Sequence, residues 1–289
     1  MSPEVAEISE QLVDEMDAAG RVDPKSIPVR FSRLRAFSRS ALHYWDAVQY
    51  DRPDTLAMRL GRGCHSMALG GKDVVQWLGK TRHGKAWEAF KAEHVSCEIL
   101  NRSEWRESAS KTAALLAHDL ATPLLFGDGV VREKRLEWEW MGRACSGTPD
   151  AMLGNEFIVD LKTTKNAHPD KFSRAAMFDG YHAQLAWYGR AVEVITGKPV
   201  RDLYVVAIEQ TRPYPITVLR LTDEAREMGE RMCRAWMEQL LVCEASGQWP
   251  AYSQSIVPFD VPQDEFGITI GGKAFSDVDD ITDEDQEAA

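Results

Sequence analysis

RACSGTPDAMLGNEFIVDLKTTK, residues Arg143 to Lys165, is the stretch whose reading decides the fold. Gly154-Asn155 marks a turn between two apolar-rich runs, the pattern of a β-hairpin. In the second run Phe157, Val159 and Leu161 alternate with Ile158, Asp160 and Lys162. Period-two geometry therefore puts Asp160 and Lys162 on one strand face and Leu161 on the other. Pro149-Asp150 lies on the first run, and register decides whether Asp150 joins them. A two-residue Gly154-Asn155 loop pairs Leu153 with Glu156 and sets Asp150 opposite Val159. A three-residue Gly154-Asn155-Glu156 loop pairs Leu153 with Phe157 and Asp150 with Asp160, and keeps apolar residues together. The second register is the predicted one. Opposed residues have Cβ atoms about 4.5–5.5 Å apart. Two carboxylates that close repel, and one holds a proton unless a cation neutralises them. A divalent ion with Lys162 alongside meets that need. Mg²⁺ takes one or two carboxylates, keeps several waters and suits phosphate substrates.

The rest of the composition bounds the reading. A chain of 289 residues has room for one large domain or two smaller ones. It holds no apolar run of about 18 residues, so no membrane span is expected. MSPEVAEISEQ lacks the basic and apolar regions of a secretory signal. The five cysteines are odd in number, scattered and never C-x-x-C, which points to reduced thiols in the cytoplasm and away from structural zinc. The net charge of −11 looks wrong for a nucleic-acid binder until it is located. Six acids and no bases fall before Arg21, and seven acids and no bases fall in Ser276 to Ala289; without these ends the body carries +2. Acidity confined to the ends does not exclude DNA binding. The expected organisation is an acidic, flexible segment over 1–29, a single domain over 30–253, and an extension over 254–289 ending in an acidic, disordered tail.

Further along, Arg30, Arg33, Arg35 and Arg39 interleave with Phe31, Phe37, Tyr44 and Trp45, with Ser38 or Ser40 as a helix start. Two readings stay open: phosphate contacts with base stacking, or an amphipathic helix with solvated arginines. Asp54 to Leu69 reads as a helix with His65 beside its apolar stripe. Lys72 to Ala121 reads as helices with a polar connector around His94 to Ser103, and Thr81 to Lys85 as a basic, solvated loop. Val130 to Trp140 reads as a strand that turns at Met141-Gly142 into the hairpin, giving a three-stranded antiparallel meander. Its Glu133 is within reach of the ion, though a solvated or salt-bridged position is the expectation. Asp170 to Met177 leads into a helix over Gly180 to Thr196, which places Tyr181, Gln184 and Tyr188 on one face. Strands follow at Asp202 to Glu209 and Ile216 to Leu221, then a long helix from a Thr222 cap to Ser246. No glycine-rich phosphate loop and no Ser-His-Asp spacing appear.

Four elements thus occur in order: Gly61-x-x-x-His65, Pro149-Asp150, Asp160-x-Lys162 and Gln184-x-x-x-Tyr188. The set resembles the RecB-like branch of the PD-(D/E)xK nuclease superfamily. With the Arg/aromatic helix, the Met58-Arg59-Leu60-Gly61 entry and the closing Trp249-Pro250-Ala251-Tyr252, it is similar to the exodeoxyribonuclease VIII (RecE-type) family of phage and prophage recombination exonucleases. The likeness covers about Arg30 to Tyr252. It departs at Leu69-Gly70-Gly71, where a more acidic, proline-bearing helix end is expected, and at Thr148, where arginine is frequent before the PD. The resemblance implies an α/β, restriction-endonuclease-like core with a mixed central β-sheet flanked by helices. It implies a metal-dependent exonuclease that degrades one strand of linear double-stranded DNA, 5′ to 3′, leaving 3′ overhangs for recombination by strand annealing. A ring-shaped homo-oligomer and a single-strand annealing protein as partner follow from it. So does Mg²⁺, with Mn²⁺ as substitute, held by His65, Asp150, Asp160 and the Leu161 carbonyl. Lys162, catalytic with Asp150 and Asp160, would orient and help deprotonate the attacking water. Gln184, Tyr188 and Tyr181 would line the DNA path, with Arg33 and Arg39 on phosphates. A PD-(D/E)xK endonuclease or a silent DNA-end-binding protein would share much of this pattern. An iron–sulfur nuclease would want more C-terminal cysteines than Cys233 and Cys243.

Overall fold

A computed structural model describes residues 20–50, 55–253 and 255–258, with the backbone of 269–270 and 273–274. The acidic stretches at both ends fall outside the described residues. The chain divides into two contact units, Met1–Tyr252 and Ser253–Ala289. In the second, strands Thr269–Ile270 and Lys273–Ala274 pair antiparallel.

The first unit begins with β1 (Val29–Arg30) and a short helix α1 (Phe31–Leu34). Helices α2 (Ala41–Gln49) and α3 (Leu56–Leu69) follow. Ser40 caps α2 and Thr55 caps α3, each side chain accepting a backbone N–H of the first turn. Next come β2 (Val74–Trp77), α4 (Lys85–Glu93), β3 (Glu98–Asn101), α5 (Arg102–Leu116) and α6 (Ala121–Phe126). The sheet region holds β4 (Val131–Arg132), β5 (Leu136–Trp140), β6 (Arg143–Gly147), β7 (Ala151–Leu153) and β8 (Phe157–Thr164). The unit closes with α7 (Pro169–Phe178), α8 (Tyr181–Thr196), β9 (Asp202–Glu209), β10 (Ile216–Arg220) and α9 (Asp223–Ser246), the last capped by Thr222.

The central sheet has the order β10-β9-β8-β7-β4, with β8 and β9 parallel and the other pairs antiparallel. Strands β8 and β9 are apolar on both faces because both are covered. Ile158, Leu203, Val205 and Ala207 join one core with α8 and α9, while Val159, Leu161, Val206 and Ile208 join a second with α3, α5 and α6. This is the mixed sheet flanked by helices that the sequence predicted. A second sheet, β1-β6-β5, packs on the first core through Trp138 and Trp140, whose rings lie 5.0 and 5.7 Å from Trp187 of α8.

Three expectations are corrected. Val130 to Trp140 is two strands in different sheets, β4 pairing with β7 and β5 with β6; the break falls at Glu133, whose φ of 51° is left-handed. The first arm of the hairpin divides likewise into β6 and β7 at Thr148-Pro149-Asp150, where proline has no N–H to give a ladder. The predicted three-stranded meander is therefore a crossing between two sheets. Finally, Lys72 to Ala121 is not all helix: β2 and β3 form a small parallel pair, Val74 opposite Glu98. Strands of four residues with a helix between them leave little alternation to read.

Residues 20–29 pack on the domain. Pro24 is buried, and buried Arg143 donates to the carbonyls of Pro24 and Ile27. Helices α8 and α9 approach closely at Gly229, where a Cβ would lie 2.6 Å from the carbonyl oxygen of His182. Gly229→Ala is expected to lower stability by about 1–3 kcal/mol, the usual cost of overpacking, measured by urea unfolding.

Candidate active site

The β7–β8 register pairs Ala151 with Val159 and Leu153 with Phe157, so the connection is the three-residue loop and Asp150 stands one step beyond the ladder, opposite Asp160. There its side chain replaces the missing strand: Asp150 Oδ2 accepts the Leu161 N–H at 2.6 Å. Lys162, two residues from Asp160 on the same face, brings its Nζ within 2.7 Å of Asp160 Oδ2 and 4.9 Å of the Tyr181 ring centre. From the remote helix α3, His65 sets Nδ1 3.5 Å from Asp150 Oδ1.

Glu133 is the fifth member. Its left-handed backbone ends β4 and donates its N–H to the Asp150 carbonyl at 3.1 Å. Its carboxylate fills the space left by Gly71, whose Cβ would sit 3.1 Å from it. One ligand atom each of His65, Glu133 and Asp150 lies within 4.8 Å of the others. The sequence expected a solvated or salt-bridged Glu133; the left-handed turn brings it in, and no glycine or asparagine announces that turn. In this arrangement Asp160 is turned toward Lys162 rather than into the three-residue cluster.

The charges are strongly coupled. Burial and the Asp150 charge push Glu133 up to about 7. Burial and Asp150 also raise Asp160, to about 6, against the pull of Lys162. Asp150 itself is held below the usual carboxylate value, against burial, by His65, Lys162 and the Leu161 N–H. Burial opposes charge on His65, but contact with Asp150 outweighs it and raises the imidazole. Lys162 is likewise raised, against burial, by Asp160 and Asp150, and so is firmly an ammonium.

These donors fit a divalent cation. They are an imidazole and carboxylates with no sulfur, a hard-to-borderline set. Asp160 Oδ2 is buried without a well-aligned hydrogen bond even though Lys162 is close. Glu133, raised to about 7 by burial and the Asp150 charge, is partly protonated at neutral pH, and a bound cation would expel that proton. A carboxyl whose value is raised in the fold binds protons more tightly there than in the unfolded chain, so its contribution to stability falls as pH rises. For Glu133 and Asp160 the window runs from their ordinary values of 4.5 and 3.8 to about 7 and about 6. In chelator, melting temperature is expected to fall as pH rises through that window, less steeply in Glu133→Gln. Added Mg²⁺ should reverse the loss above about pH 7, and calorimetry across pH checks both.

Two cavities are lined by these residues. One, of about 660 Å³, is lined by Arg30, Arg33, Arg35, Arg135, Lys162 and Tyr181, with Gln184 and Tyr188 behind. The other, of about 450 Å³, is lined by His65, Glu133 and Asp150 with Arg62 and Lys72. Gln184 Nε2 donates to the Tyr188 hydroxyl at 3.0 Å, and Tyr188 is buried, seated where Gly147 has no side chain. Arg39 is exposed and outside the cleft lining; Arg30, Arg35 and Arg135 are there instead, brought in by β1, by the turn after α1 and by the loop before β5. Arg82, from the basic loop, is a brace: it donates to the Ile99 carbonyl and to Glu104. Among the described residues no helix is long and apolar enough to cross a membrane.

Two aspartates and a lysine on adjacent strands of a helix-flanked mixed sheet are the core of the PD-(D/E)xK nuclease superfamily. The chain belongs to the family of the PDDEXK-like domain of unknown function (DUF3799), which matches residues 30–258. Among solved structures it is similar to a candidate exonuclease from Eubacterium rectale, at 13% identity and a TM-score of 0.58, over 86% of this chain and 93% of that one. It also matches an alkaline exonuclease from Laribacter hongkongensis at 13% identity and a TM-score of 0.36, over 81% of this chain and 95% of that one. No curated protein matches the chain.

Proposed function

We propose that the protein is a metal-dependent exodeoxyribonuclease acting on linear double-stranded DNA. One observation carries this: the cleft lined by four arginines opens onto Lys162, on the strand that also holds Asp160. Phosphates attract such a cleft whatever the sequence, and Tyr181 adds an aromatic face for a base. His65, Glu133 and Asp150, with Asp160 and the Leu161 carbonyl beside them, would hold Mg²⁺ or Mn²⁺. When bound, the ion supplies Lewis-acid neutralisation of the scissile phosphate. Lys162, its ammonium favoured by Asp160 and Asp150, would orient the attacking water, help to deprotonate it and offset charge that develops on the phosphate. Gln184 and Tyr188 hold one another and present one polar wall to the strand.

The finer reading rests on the family resemblance and on charge. Degradation runs 5′ to 3′, leaves 3′ overhangs for recombination, works with a single-strand annealing protein and takes place in the cytoplasm. A body with a net charge of only +2 grips duplex weakly at physiological salt, and a ring-shaped homo-oligomer would retain DNA by topology instead. Incubation of end-labelled linear duplex and covalently closed circles with Mg²⁺ tests the proposal. Linear DNA should be shortened from its ends and circles left whole, by a species eluting well above the 32.5 kDa monomer. Cutting of closed circles would favour an endonuclease of the same superfamily.

A further inference from the structure

We infer that the pocket between the β2–α4 loop and the start of α5 binds the phosphate backbone of duplex DNA outside the catalytic cleft, through Lys80, Arg102 and Arg106. This deepens the nuclease reading and rests on it. The three cations line a cavity of about 320 Å³ that shares no residue with the two at the active site. Among the described residues none of the three side chains has an ion pair or a hydrogen bond. The acids on the same turns of α5 are taken. Glu104 is buried and pairs with Arg59 and Arg82, and Glu107 pairs with Lys111 at 2.6 Å. Arg102 and Arg106 stand four residues apart, so their like charges are neighbours, at the end of α5 where the helix dipole disfavours cations. A bound phosphate offsets both penalties. The backbone amides of that end are not the seat, because Asn101 Oδ1 accepts those of Ser103 and Glu104. Lys80 comes from a braced turn: Trp77 Nε1 donates to the Thr81 carbonyl at 3.0 Å, and Arg82 donates to the Ile99 carbonyl at 2.9 Å. A side chain at Gly79 would overlap the Trp77 ring. That ring packs on Trp87 and Phe90, with centres 5.4 and 5.0 Å away, so the pocket offers charge without a free stacking face. Such a surface suits the backbone of a duplex rather than the bases of a single strand. It also lies beside the cleft, since the Arg59 that pairs with Glu104 follows Met58 of the cleft lining.

Binding of the full-length protein to a labelled duplex several helical turns long, in Ca²⁺ and across a salt series, tests this without turnover. The double variant Arg102→Gln, Arg106→Gln should bind about tenfold or more weakly at low salt. Its plot of log affinity against log salt should be shallower by about two, one phosphate contact for each arginine, and that of Lys80→Gln by about one. Arg102→Lys, Arg106→Lys should keep the parent slope, since a point charge suffices for a phosphate. The glutamine variants should melt at or above the parent, because the like-charge and dipole penalties are gone, which separates lost contact from lost folding. Cleavage at saturating linear DNA should match the parent. Unchanged affinity and slope in the double variant would overturn the assignment, as would weaker binding with no change of slope. The nuclease reading fails separately: a protein with no cleavage in any divalent cation, yet with duplex binding that depends on Arg102 and Arg106, would keep this surface and lose the reaction.

Discussion

Lys162→Met is expected to fold and to bind DNA while losing about 10²–10³-fold in kcat, the scale for one donor that serves the developing charge. The side chain lines the cleft, paired with Asp160 and set over the Tyr181 ring. Without it the buried Asp160 carboxyl, already raised to about 6, takes up a proton more readily, which limits the cost to stability. Single-turnover rates on linear duplex, set beside binding measured in Ca²⁺, separate the two effects. Unchanged turnover would remove Lys162 from the reaction.

Asp150→Asn should have the larger effect. The amide oxygen can still accept the Leu161 N–H, so the metal-free protein is expected to melt close to the parent. It can no longer anchor His65 by charge or offer an anionic ligand, so the Mg²⁺-induced rise in melting temperature should vanish. Cleavage should fall on the order of 10³-fold, since several kcal/mol of charge stabilisation go with the ion. Asp150→Ala differs in a useful way: it strands the Leu161 N–H and is expected to cost about 1–3 kcal/mol of stability as well. A variant Asp150→Asn that still shows the full cation-dependent shift would mean that the ion binds elsewhere.

The sequence made parts of this arrangement readable because they are local. Alternation in Phe157 to Lys162 and the preference for Leu153 opposite Phe157 were enough to set Asp150 across from Asp160. Ser40, one of the two starts offered, the Thr222 cap and Gly197 after α8 set helix ends within a residue or two. What stayed hidden depends on distant partners. β5 and β6 pair with each other, and β6 also takes β1 from more than a hundred residues upstream, a parallel pairing that leaves no local trace. Glu133 looked like one of several glutamates on a strand face, since nothing in Val131 to Arg135 shows that the strand stops there. The same break moved Arg135 toward the cleft. The upward shift of Lys162 despite burial was also beyond sequence reasoning, because it follows from two buried carboxylates at once.

Residues 133–135 and 148–150 are where the chain crosses between the two sheets, and they divide the labour of the molecule. Arg30 and Gly147 of the cleft ride on the β1-β6-β5 sheet, while Asp160 and Lys162 ride on the larger one. On the proposed reading, part of the grip on the polymer and the hydrolytic residues thus lie in separate layers joined by two short seams. An engineer wishing to redirect the enzyme to another nucleic acid would begin with β1, β5 and β6, and leave β8 alone.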